Sequence, residues 1–145
     1  MNIPWYVTAL AAALVWGLHY PLVDFALKRI SVYSVLLLSV LPVLLLMPVY
    51  LRDVARDLDT LRTLPAGQQG MIAAIGLTSL AGAILLYLSI AGKNATLASL
   101  IEITYPVFVV FFAFVIFRQI HLNTSVVVGG LMVIAGAGLI IYNNQ

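Results

Sequence analysis

Seven basic and five acidic residues are the only charged groups in this 145-residue chain. Two of the acids, Asp24 and Glu102, fall inside long apolar runs. Glu102 stands seven residues into its run, about 10 Å below the start at 1.5 Å per helical residue. A charge placed centrally in an apolar helix costs about 2.5–3.5 kcal/mol on insertion scales, and such groups face protein or a water-filled cavity. Ala95, Ser99, Glu102 and Pro106 share one helical face. Pro106 cannot donate to the carbonyl of Glu102, so a carboxylate, an open carbonyl and a kink coincide. Proton or cation binding is the chemistry this combination suits. A buried hydrogen bond to Tyr, Ser or His is the plainer alternative.

His19 lies in the run Trp16-Gly17-Leu18-His19-Tyr20-Pro21. Pro21 frees the carbonyl of Gly17, and the glycine makes a bend there easy. Imidazole titrates near neutral pH, which suits proton coupling; a helix–helix hydrogen bond is equally open. Asp24 is weaker evidence, because Lys28 one turn further on offers an ordinary i,i+4 pair near the interface. His121 is expected in an exposed loop.

These groups need elements to hold them. Hydrophobic residues make up 63% of the chain, charged residues 8%, and the mean hydropathy is +1.12. A soluble domain carries about 25% charged residues, so a soluble globule, a disordered chain and a nucleic-acid module are excluded together. There is no cysteine, hence no disulfide framework or thiol chemistry. Five apolar spans separate the charges, at about 5–27, 32–51, 70–92, 95–117 and 125–142. Each is long enough to cross a hydrocarbon core about 30 Å thick. In lipid such runs must be helices, since each backbone group needs a partner within its own segment. Runs such as Val35–Leu38 and Val107–Phe112 do not alternate as barrel strands would. The fold class is therefore an all-α integral membrane protein with five transmembrane helices, a single domain over 1–145. Between the second and third spans, Leu51, Val54, Leu58 and Leu61 recur at helical spacing. An interfacial helix over 51–64 and a solvated connector both fit.

Five crossings put the termini on opposite sides. With the N-terminal side called A, that side holds Arg52, Arg56, Arg62 and Arg118, and side B holds Lys28, Arg29 and Lys93. The Lys/Arg excess that orients membrane proteins is thus a single residue. One orientation with an oppositely oriented partner, or insertion of copies both ways as an antiparallel pair, are both open. An odd-helix unit is what an inverted-repeat transporter requires, with its site between the halves. By depth, His19, Tyr20, Asp24, Tyr87 and Glu102 all fall in the side-B half and Tyr105 near the midplane, where they could line one cavity with Trp16. Gly129 and Gly136, seven apart, share a face suited to helix packing or a dimer seam. No Walker loop, Gly-x-Ser-x-Gly or His-Glu-x-x-His occurs, so no enzyme, metal or cofactor is expected.

The chain resembles one EamA-type unit of the drug/metabolite transporter superfamily. The resemblance rests on Leu14-Val15-Trp16-Gly17 with Ala26-Leu27-Lys28, on Asn94 to Leu100 followed by Tyr105-Pro106-Val107-Phe108, and on the glycine-rich Gly129 to Ile140. It implies secondary transport of small metabolites or amphipathic compounds through the cell membrane, a prokaryotic inner membrane. The four-helix relatives within that superfamily assemble as antiparallel dimers. Their first-helix glutamate has no counterpart here. Family members often carry a carboxylate just before Pro-Val-Phe and a Gly-Glu pair after the fourth helix; here those places hold Tyr105 and roughly Arg118-Gln119. Glu102, one turn before Pro106, can substitute for the former. The expected partners are a second copy as an antiparallel homodimer, a small-molecule substrate, a proton or cation, and the bilayer, with Gly17, Pro21 and Pro106 as hinges. A non-transporting membrane subunit, or a lipid-carrier translocase component paired with another protein, is the alternative.

Overall fold

The computed structural model describes residues 3–120 and 122–144. His121 therefore lies outside the described residues. Six helical elements follow one another: α1 (Trp5–Leu27), α2 (Val32–Thr63), α3 (Ala66–Gly92), α4 (Ala95–Glu102), α5 (Tyr105–Phe117) and α6 (Thr124–Asn143). There are no strands among the described residues. With α4 and α5 taken as one broken span, five helices are long and apolar enough to cross a membrane.

The helix starts have local causes. Ser31, Asn94 and Asn123 each accept a hydrogen bond from a backbone N–H of the first turn, at Ser34, Leu97 and Val126, which satisfies a donor that helix geometry orphans. Pro4 and Pro65 precede α1 and α3. Proline's fixed φ suits a helix entry, and its missing N–H costs nothing there.

Two elements differ from the pattern expected of the sequence. First, the segment expected either as a separate interfacial helix or as a connector is the uninterrupted end of α2, which runs through Pro42 and Pro48 to Thr63. At 32 residues α2 is about 48 Å long and outreaches a 30 Å hydrocarbon core. Its apolar residues Val54, Leu58 and Leu61, with Leu64, line a cleft shared with Ile72 of α3. Second, the fourth span is two helices. Thr104 N–H and Thr104 Oγ1 both bond the carbonyl of Ile101 at 3.1 and 2.9 Å, and Val107 N–H turns to Thr104 at 3.0 Å. With Pro106 unable to donate, the i→i−4 ladder is broken at Ile103-Thr104.

Helix α1 packs on α2, α3 and α4; α3 also packs on α2 and α4; α6 packs on α4. The core is Val23, Val35, Tyr87, Ile90, Ala95 and Ala98. All six lie in the side-B half of their helices, and so does Ala137, the one buried residue of α6. Lys93 Nζ closes the same end by donating to the carbonyl of Asn144 at 3.1 Å. Toward side A no described residue is buried, and clefts open between α2 and α3 and between α5 and α6. The bundle is pinned at its side-B end and more loosely packed toward side A.

Candidate functional site

Polar side chains inside the membrane gather at the pinned end, and four elements supply them. Tyr20 of α1 donates its hydroxyl hydrogen to Glu102 Oε2 of α4 at 2.8 Å. His19 Nε2 lies 3.3 Å from the hydroxyl of Tyr87 on α3. That hydroxyl also lies 2.9 Å from Ser39 Oγ on α2, and Ser39 bonds the carbonyl of Val35 one turn back at 3.0 Å. Tyr87 itself is buried, and among the described residues no buried side-chain polar atom lacks a partner, as a low-dielectric interior demands.

Adjacent positions on α1 serve two branches. His19 points to α3, while Tyr20, 100° further round, points to α4. Trp16, one turn earlier, faces both rings: it meets His19 edge-on at 5.1 Å and Tyr20 tilted at 5.7 Å between centroids. Trp16 is 53% exposed and leaves an indole face open. The result is a half-open patch in which an aromatic wall stands beside a carboxylate and an imidazole. Such a surface can receive a flat or cationic group on the ring faces and hydrogen-bond it at the polar tips.

Glu102 is the last residue of α4, so its carboxylate sits at the break in the span. No side chain of α5 is fully buried, and Val107 lies against Gly130 of α6. Pro106 lies in the first turn of α5. In contrast, α1 continues through Gly17 and Pro21 without interruption.

Four expected residues lie apart from this network. Asp24 bonds with Lys28 at 3.2 Å, the i,i+4 pair on α1. Tyr105 is 56% exposed and makes no side-chain hydrogen bond with the described residues. Gly129 and Gly136 have no neighbour within 4 Å of where a Cβ would stand; Gly130 instead approaches Val107 of α5, at 3.6 Å. The glycine face with internal contact is thus rotated by one residue from the Gly129–Gly136 face. Ser39 was not among the expected residues. The sequence offered only a weak signal, a serine seven residues into α2 at the depth that Glu102 has in α4. A cleft of about 410 Å³ between α5 and α6 starts at Pro106 and is lined by apolar residues such as Val107, Val110 and Val126. It lies beyond the break from the polar cluster.

The chain matches the EamA-like transporter family over residues 3–142. It belongs to that family. Among curated proteins and among solved structures nothing matches it. Membership makes this multi-pass protein a transporter of the drug/metabolite transporter type, and the five apolar helices with their converging polar groups agree with that assignment. The family are transporters rather than enzymes.

Proposed function

We propose that this EamA-like chain is a secondary transporter of small or amphipathic compounds, working by alternating access as an antiparallel homodimer in a prokaryotic inner membrane. The observation that carries the reading is the cluster itself. Four membrane-embedded elements converge on hydrogen bonds among Tyr20, Glu102, His19, Tyr87 and Ser39, and this happens beside a broken helix. Structural packing alone would not call for a carboxylate there, given its insertion cost. Glu102 binds the coupling proton or cation, and Trp16, His19 and Tyr20 form the aromatic wall that receives the substrate, with the buried Tyr87 behind it and Tyr105 as a further contact at the start of α5. Asp24 lies at the mouth on side B.

The antiparallel arrangement is supported by the near balance of Lys and Arg, four on side A against three on side B, and by the loosely packed side-A half. One copy's loosely packed end would meet the pinned end of an inverted partner. Gly129 and Gly136, open on their face, provide the close-approach surface for a second helix.

Glu102→Gln tests the coupling role, because glutamine keeps an oxygen for the Tyr20 hydroxyl and removes the titratable proton. In proteoliposomes, proton-driven uptake or efflux should fall by at least tenfold while the protein still folds and inserts. Full proton-coupled transport by the purified variant would sink the assignment.

A further inference from the structure

The Ser39 hydroxyl meets two oxygens, the Val35 carbonyl at 3.0 Å and the Tyr87 hydroxyl at 2.9 Å. A hydroxyl has one proton and two lone pairs, whereas a carbonyl only accepts. The Val35 contact is a hydrogen bond only if Ser39 donates to it. Ser39 must then accept from Tyr87, whose single proton is committed to that bond. Toward His19 the Tyr87 oxygen is left as an acceptor, so Nε2 at 3.3 Å must carry the hydrogen. We infer that Ser39, acting through Tyr87, is a positioning residue that holds His19 in its Nε2–H tautomer and leaves Nδ1 as the open acceptor of the site.

The reverse chain, from Ser39 to Tyr87 to His19, makes two bonds instead of three and gives up the Val35 contact. The edge of Trp16, perpendicular to the imidazole at 89°, helps to fix the ring plane. Nδ1 makes no hydrogen bond with the described residues.

The arrangement has a chemical use. A donor group of a ligand, or a proton, received at Nδ1 leaves the chain of three bonds unchanged, because Tyr87 goes on accepting from Nε2–H. The titratable groups around the ring are Tyr20 and Asp24 on its own helix, Tyr87 on α3, Glu102 on α4 held by Tyr20, and Tyr105 at the start of α5. Helix α2 contributes only the uncharged Ser39 at this depth, its charges lying at the other end. This use rests on the cluster being the transport site, but the tautomer does not, and it is measured without transport.

The test is nitrogen NMR of the protein in lipid, above neutral pH, with isotope-labelled histidine and His121→Asn so that His19 gives the only imidazole signals. The expected spectrum has an unprotonated Nδ1 and a protonated Nε2. In Ser39→Ala the Tyr87 proton is released to the ring nitrogen, and the two assignments should exchange; Ser39→Thr should restore the original pattern. A wild-type spectrum with the proton on Nδ1 overturns the inference. An unchanged tautomer in folded Ser39→Ala overturns the role of Ser39. Should that variant not fold, the wild-type and Ser39→Thr spectra still decide the tautomer.

Discussion

Arg118 ends α5 with φ 56° and is the only non-glycine residue with positive φ among those described. Its N–H bonds the Phe114 carbonyl, and the N–H of Gln119 reaches back to Ala113 at 3.2 Å. This is a left-handed helix termination, where glycine is the usual occupant. The Gly-Glu pair that resemblance places here thus has a backbone reason, which spacing alone did not reveal. A left-handed L-residue costs about 1–2 kcal/mol; glycine's own unfolded-state entropy and the loss of the Arg118 contact over Phe114 at 5.9 Å offset part of it. Arg118→Gly should therefore stabilise the protein by about 0.5–1 kcal/mol, read as a raised midpoint in detergent unfolding. At the Tyr20–Glu102 bond the sign reverses. Tyr20→Phe should cost about 0.6–1.7 kcal/mol, the range of interhelical hydrogen bonds in membranes. Glu102 and His19 stood out in the sequence because ionisable groups are rare in apolar runs. Ser39 did not, since a lone serine in a membrane helix ordinarily bonds its own i−4 carbonyl, and only the fold shows that this one also meets Tyr87.

Among the elements, α1 was readable to its ends because Pro4 and the Lys28-Arg29 pair bracket one apolar run. Helix α2 was harder. The charges from Arg52 onward marked the end of the membrane crossing but not of the helix, since hydropathy reports depth and not backbone hydrogen bonding. The break between α4 and α5 was half legible: Pro106 announced a kink, while the capture of the Ile101 carbonyl by Thr104 turned it into an interruption. Pro106→Ala should restore the missing donor and extend α4 toward α5. If alternating access uses this break, transport should slow several-fold with substrate affinity little changed, measured as initial rates against substrate concentration. Equal rates would place the moving part elsewhere. At the pinned end, Ile90 is 1% exposed. Ile90→Ala should cost about 1–2 kcal/mol, mostly lost packing, because lipid tails are as apolar as the core.

For the whole molecule the open matter is orientation. The four-to-three charge count predicts that copies insert both ways. Single cysteines at Asn2 and, separately, Asn144, labelled in intact cells with an impermeant maleimide, should each be about half accessible before permeabilisation. Complete labelling at one and none at the other would exclude an antiparallel homodimer and direct attention to an oppositely oriented partner. The same count predicts that one added lysine on side A, making five against three, tips the population, whereas one on side B balances it at four each.

The looser packing toward side A has a mechanical consequence for the bilayer. A body packed less tightly in one leaflet than in the other takes up unequal lateral area in the two, and a population inserted in a single direction adds that inequality copy by copy as spontaneous curvature. Copies inserted in both directions cancel it. Vesicles reconstituted with mixed orientation should keep their size as protein content rises, whereas a variant forced into one orientation should shift the vesicle radius in proportion to its density.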